Sequence, residues 1–155
     1  MEKLNEIEGT CQYFIDSTIN YFTHSTKVNP TSGIPYLKKP EELVLKEYTG
    51  MIAVSGDHKG YVYISGDEVM FEDLWKMFTG TEANQDDVLD MAGEVSNVIA
   101  GNVRKELGKN FMISIPMVFK GKPNLLKLPS DIPIYVIPIQ WKSYEAFVVV
   151  GVSEN

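Results

Sequence analysis

Near the start of the chain, Leu4, Ile7, Cys11, Phe14, Ile15, Thr18, Ile19 and Phe22 recur at intervals of three and four. Positions so spaced fall on one face of a 3.6-residue turn, which predicts a long amphipathic helix. Residues 24–40 (HSTKVNPTSGIPYLKKP) then bring three prolines and several turn formers, so the chain leaves the helix there. Residues 43–54 are rich in Val, Ile and Tyr, SGDHKG reads as a turn, and residues 60–65 (GYVYIS) alternate, which together predict a β-hairpin.

The pattern then changes period. Asp67 stands where an N-cap would open a helix through Phe78, and Thr79-Gly80 ends it, Gly80 suiting a left-handed C-cap. Asn84 caps a second helix, with Asp86 and Asp87 in its electropositive first turn. Met91, Val95, Val98, Ile99, Val103 and Leu107 form its apolar stripe, and Gly108 marks its end. Three strands are expected after it, at 111–119 (FMISIPMVF), 133–141 (PIYVIPIQW) and 145–152 (EAFVVVGV). The last two are joined through Lys142-Ser143-Tyr144 as an antiparallel hairpin. Strands joined too closely for βαβ crossovers predict an α+β domain. Its mostly antiparallel sheet would pack with an N-terminal helix and two central helices. One domain over 1–155 is expected, since no second loop of the 24–40 kind divides the chain.

Composition narrows the partners. A net charge of −7 argues against a nucleic-acid backbone or an anionic membrane surface as the partner. The single cysteine, Cys11, excludes an intramolecular disulfide and leaves a thiolate zinc site without a second ligand. The start lacks a signal-peptide pattern, and no apolar run approaches the ~18–20 residues that span a bilayer. A soluble cytoplasmic protein is the expectation.

Several catalytic patterns are missing: a G-x-x-x-x-G-K-[ST] phosphate loop, a G-x-G-x-x-G after a strand, H-E-x-x-H and a nucleophile elbow. His24 and His58, the only histidines, are expected in loops with no carboxylate-rich ligand set around them. Attention falls instead on DMAGEVSNVIAGN, residues 90–102. Asp90, Glu94, Asn97 and Gly101 lie at i, i+4, i+7 and i+11 and share a helix face that opposes much of the apolar stripe. One reading is a solvated face, its acids gathered where the helix dipole favours them. Against that, Asn is a poor residue for a helix interior, and Gly93 and Gly101 cost the helix about 1 kcal/mol each relative to alanine. Small residues beside a projecting carboxylate and amide would suit a docking helix that another surface approaches closely. A metal site from Asp86, Asp90 and Glu94 is a further alternative, weakened by the poor multidentate geometry of one helix.

Asp90, Glu94 and Asn97, followed by VIAGN, resemble the D/S-x-x-x-E-x-x-N signature of the CheC/CheX/FliY chemotaxis phosphatases. SGDHKGYVYIS looks like the glycine-rich hairpin of CheX-like domains, and Ile113-Ser114-Ile115-Pro116 extends the similarity. Together these cover residues 51–116, and the order of elements fits that family's fold along the whole chain. The resemblance implies a phosphatase acting on the phospho-aspartate of a CheY-like receiver domain. It implies that Asn97 orients the attacking water, Glu94 pairs with the receiver's active-site lysine, and Asp90 supports them. No cofactor is then needed on this chain, because Mg²⁺ is expected on the receiver. The 70–78 stretch (MFEDLWKMF) holds Glu72 and Asp73 but no E-x-x-N pair, so one site per chain is expected, as in CheX-like proteins. A homodimer is also implied, with 133–141 or 145–152 as the joining surface should either be a sheet edge. The alternative is a non-catalytic module that docks on a receiver or another signalling partner through the same face.

Overall fold

In the computed structural model, which describes residues 2–39, 41–124 and 126–155, helix α1 (Glu2–Thr26) carries the first apolar stripe. Cys11, Phe14, Thr18 and Phe22 are buried along it; the side chains of Leu4 and Ile7, and all of Pro40, lie outside the described residues. The helix continues past the expected stop because Thr26 has somewhere to go. Its hydroxyl donates to the Phe22 carbonyl at 2.6 Å and accepts the indole N–H of Trp141 at 3.1 Å. His24 therefore sits in the last turn of α1 rather than in a loop. The proline-rich stretch holds two short strands, β1 (Thr31–Ser32) and β2 (Tyr36–Lys38).

Strands β3 (Tyr48–Gly56) and β4 (His58–Gly66) form the expected hairpin, but its turn is tighter than SGDHKG suggests, closing at Asp57. His58 opens β4 instead of lying in a loop, its ring edge-on to Phe111 at 5.3 Å. Residues 43–47, expected as strand, stay outside the ladder. Side chains satisfy their backbone instead, Tyr63 donating to the Val44 carbonyl at 2.6 Å and Ser65 accepting from Lys46 N–H at 2.7 Å.

Helix α2 (Glu68–Thr79) begins after Asp67 and ends at Gly80 in the left-handed conformation, φ 75°. Asp67 is the N-cap by position, yet its side chain makes no capping hydrogen bond and lies 3.7 Å from Lys46. Helix α3 (Gln85–Leu107) opens with a reciprocal capping box, Asn84 and Asp87 each accepting the other's backbone N–H at 2.9 Å.

The single strand expected at 111–119 is two, β5 (Phe111–Ile113) and β6 (Met117–Lys120). Both pair with β3, on either side of a break at Ser114–Pro116. Pro116 has no N–H to give to a ladder, while Ser114 holds the gap closed, donating its N–H to the Ala53 carbonyl at 3.0 Å and accepting Ala53 N–H at 2.9 Å. Strands β7 (Ile134–Trp141) and β8 (Tyr144–Glu154) complete a hairpin that turns at Lys142–Ser143.

The sheet runs β1-β7-β8-β4-β3-β5, with β2 also on β7 and β6 also on β3, and every pairing is antiparallel. Three helices and this eight-stranded sheet make an α+β fold, as the sequence pattern predicts. The larger core cluster joins residues of all three helices to one face of the sheet. On the other face Met51, Tyr61, Tyr63, Ile134, Val136 and Val149 are covered by loop residues including Leu43–Leu45, Leu126 and Leu128. Covering on both faces explains why β8 reads as a nearly continuous apolar run. Neither strand proposed for dimer contact is a free edge: β8 lies between β7 and β4, and β1 and β2 cover the outer side of β7. Among the described residues no helix is long and apolar enough to cross a membrane.

Candidate active site

Helix α3 is held against the sheet by its small residues. Ala92 and Ser96 are buried, and a methyl added at Gly50 of β3 would run into the Ala92 carbonyl and stand 2.9 Å from Ser96 Oγ. Ser96 is quieted locally, its hydroxyl donating to the Gly93 carbonyl at 2.9 Å. Met91, Val95, Ile99 and Val103 complete the buried face.

That seating fixes what points outward. Asp90, Glu94 and Asn97 are all exposed, as their shared face predicts. None of the three side chains makes a hydrogen bond or ion pair with another described residue. A carboxylate and an amide one turn apart on a rigid helix are thus free to bind something else. The glycines divide. Gly101 is half-exposed with nothing within 4 Å of a Cβ placed there, so it leaves a dip one turn beyond Asn97. Gly93 is buried, and a Cβ there would stand 2.8 Å from Val118 Cγ1 and 3.4 Å from Pro116 Cβ. It makes room for β6, not for a partner, so the expectation of an open docking position at Gly93 is corrected.

A groove of about 470 Å³ runs beside Glu94, between Tyr21 and Ser25 of α1, Trp75 and Phe78 of α2, and Asp90 of α3. The Tyr21 hydroxyl and the Trp75 indole N–H are buried without hydrogen-bond partners among the described residues. Burial, and secondarily the negative charge of Glu94, push the Tyr21 phenol pKa well above its ordinary value. The sequence pattern gave no hint of this neighbourhood, which depends on how three separate helices pack. Asp73 of α2 is committed elsewhere, accepting from Lys142 Nζ and from the Tyr144 hydroxyl, each at 3.0 Å. The metal alternative finds no geometry: among the described residues no group of three or more His, Cys, Asp or Glu side chains converges, Asp86, Asp90 and Glu94 included.

A sequence model of a family described as chemotaxis phosphatase CheX matches residues 48–140, more than half of the 155-residue chain. The chain belongs to the CheX family. The match spans β3 through nearly all of β7 and so contains the whole of α3. Solved CheX structures share the fold along almost the full length. The chemotaxis protein CheX from Vibrio vulnificus is 22% identical with a TM-score of 0.80, the match covering 94% of this chain and 99% of that one. A CheX from Desulfovibrio desulfuricans is 22% identical with a TM-score of 0.79, over 95% and 99% of the two chains. A Borrelia burgdorferi structure, a CheX-CheY-BeF3-Mg²⁺ complex, is 20% identical with a TM-score of 0.75, over 93% and 97%. No curated protein matches the sequence significantly.

Proposed function

We propose that this CheX-family chain hydrolyses the phospho-aspartate of a CheY-like receiver domain, with Asn97 and Glu94 as the residues that act. The observation that carries this reading is the pairing of Glu94 and Asn97, both exposed and uncommitted, on a helix anchored to the sheet along its opposite face. An amide can donate to and accept from the same water, so Asn97 holds the nucleophile in line with the phosphorus. A new oxygen–phosphorus bond forms as the acyl oxygen–phosphorus bond breaks, releasing inorganic phosphate and a free aspartate. Glu94 forms a charge-assisted pair with the receiver's lysine and fixes the register of docking. Asp90, one turn earlier, adds negative charge to the same edge, and the dip at Gly101 admits the partner's surface. Mg²⁺ and most of the phosphoryl stabilisation are assigned to the receiver. The Borrelia CheX that was crystallised with CheY, BeF3 and Mg²⁺ supports the choice of partner.

The test is phosphate release from phosphorylated receiver domains encoded in the same genome, with and without this protein. Asn97→Ala is expected to lower the accelerated rate about 100-fold or more while receiver binding survives, because only the water-holding group is lost. Normal phosphate release by Asn97→Ala would sink the role given to that amide. Binding without acceleration by the wild type would favour a non-catalytic receiver-binding module. A homodimer is also proposed. The outer strands, β1 and β2 on one side and β5 and β6 on the other, are where a second copy could extend the sheet, and sedimentation equilibrium decides it.

A further inference from the structure

A net charge of −7 is a poor starting point for docking on a surface that carries a phosphoryl dianion. The positive charge on the site helix, however, is not scattered. Past Asn97 a groove of about 600 Å³ is lined by Val98, Gly101, Arg104, Lys105, Lys109 and Ile113, and among the described residues no carboxylate lines it. Arg104, the chain's only arginine, lies seven residues after Asn97 and so on the same face of α3, about 10 Å further along. The half-exposed Gly101 between them has no neighbour within 4 Å of its Cβ position, which joins the groove to the site.

The three cations are exposed, and none pairs with a carboxylate among the described residues. Arg104 and Lys105 in the last turn of α3 also suit the negative end of the helix dipole. The dipole does not account for Lys109, which lies beyond the C-cap Gly108. Nor does it require the Arg104 guanidinium to reach the Lys109 carbonyl at 3.5 Å, a contact that draws the two residues to one side of the groove. Along one helix face the charge thus runs from acidic at Asp86, Asp90 and Glu94 to basic at Arg104 and Lys105, with Asn97 between.

We propose that this basic groove receives a carboxylate-bearing segment of the receiver domain, opposite in sign to the lysine that Glu94 takes. The inference rests on the phosphatase reading above and adds a second, charge-reversed contact to it. Two contacts of opposite sign on either side of Asn97 allow only one direction of docking, since turning the partner end for end would bring like charges together.

The experiment compares wild type with Arg104→Glu/Lys109→Glu. Phosphate release from the phosphorylated receiver and binding to the beryllofluoride-activated receiver are both measured from 50 to 500 mM salt. A control variant, Lys39→Glu/Lys127→Glu, makes the same change in net charge at exposed sites away from α3, and circular dichroism confirms folding of each. The groove variant is expected to lose about tenfold or more in kcat/KM and in affinity at low salt, with kcat within about twofold. The loss should shrink at high salt, and the control should behave as wild type. Equal loss in both double variants would reduce the effect to net charge and overturn the proposal, as would a groove variant within about twofold of wild type at every salt concentration. If wild type accelerates release and the groove variant matches its kcat/KM and its affinity at every salt concentration, the groove fails and the phosphatase reading stands. If wild type binds without accelerating, the catalytic reading fails and the binding comparison still decides the groove. If wild type neither binds nor accelerates, both are overturned.

Discussion

Gly50 of β3 lies directly beneath the carbonyl of Ala92 in α3, with no space between them for a methyl group. This is where the site helix comes down onto the sheet, so the exposure of Glu94 and Asn97 on the far side depends on it. Gly50→Ala is expected to destabilise the fold by about 3 kcal/mol, since neither the Ala92 backbone nor β3, paired on both sides, can move freely. Urea denaturation reads the loss as a lower midpoint at unchanged slope. An unchanged midpoint would mean that α3 does not rest on β3 at this position.

Removing the Glu94 carboxylate should act on docking and spare the chemical step. A charge-assisted hydrogen bond contributes about 1.5–3 kcal/mol, so Glu94→Ala is expected to raise KM for the phosphorylated receiver by about 10–100-fold. Saturating turnover should change only a few-fold. Steady-state kinetics across receiver concentrations separates the two, and a fall in kcat at constant KM would contradict the assignment.

Gly101 costs α3 stability and has open space above it. Gly101→Ala is therefore expected to raise stability by about 1 kcal/mol. Gly101→Phe fills the dip beside Asn97, and it should weaken receiver binding at least about tenfold while the thermal transition stays cooperative. Unimpaired binding by the Phe variant, measured by calorimetry, would show that no partner approaches there.

Alkaline pH should unfold this protein earlier than its net charge alone would. Burial raises the phenol pKa values of Tyr21 and Tyr63 and pushes Tyr61 up to about 12. Below about pH 10, the ordinary tyrosine value, folded and unfolded chains are both protonated and nothing is lost. Above it the unfolded chain releases protons that the folded chain keeps. Stability then falls by about 1.4 kcal/mol per pH unit for each such tyrosine. The melting temperature should fall steeply between about pH 10 and 12, and Tyr61→Phe should make the fall shallower. Equal slopes for variant and wild type would show that Tyr61 is not among the groups responsible.

The sequence was most legible where a local rule decides the structure. Asn84 as the cap of α3, Gly80 at a positive φ, and the three-and-four spacing through α3 each act within a turn or two, and each is as expected. The outward face of Glu94 and Asn97 followed from the same spacing; their proposed roles came from resemblance. What spacing could not give was set by distant partners. The break at Ser114–Pro116 depends on the backbone of Ala53, and the length of α1 depends on Trp141 reaching Thr26. Gly93 looked like Gly101 in sequence because both are helical glycines. Only the position of Val118 separates a glycine that accommodates the protein's own strand from one that faces outward.

The sheet order also governs when the site can come into being. Strand β8 lies between β7 and β4, pairing His58 with Glu154 and Gly66 with Ala146 across most of the sequence. During synthesis the β3–β4 hairpin and α3 emerge well before the strand that completes the middle of their sheet. Contacts of such long sequence separation form slowly. A nascent chain therefore carries the Glu94–Asn97 helix on a half-built support until residues 144–154 arrive.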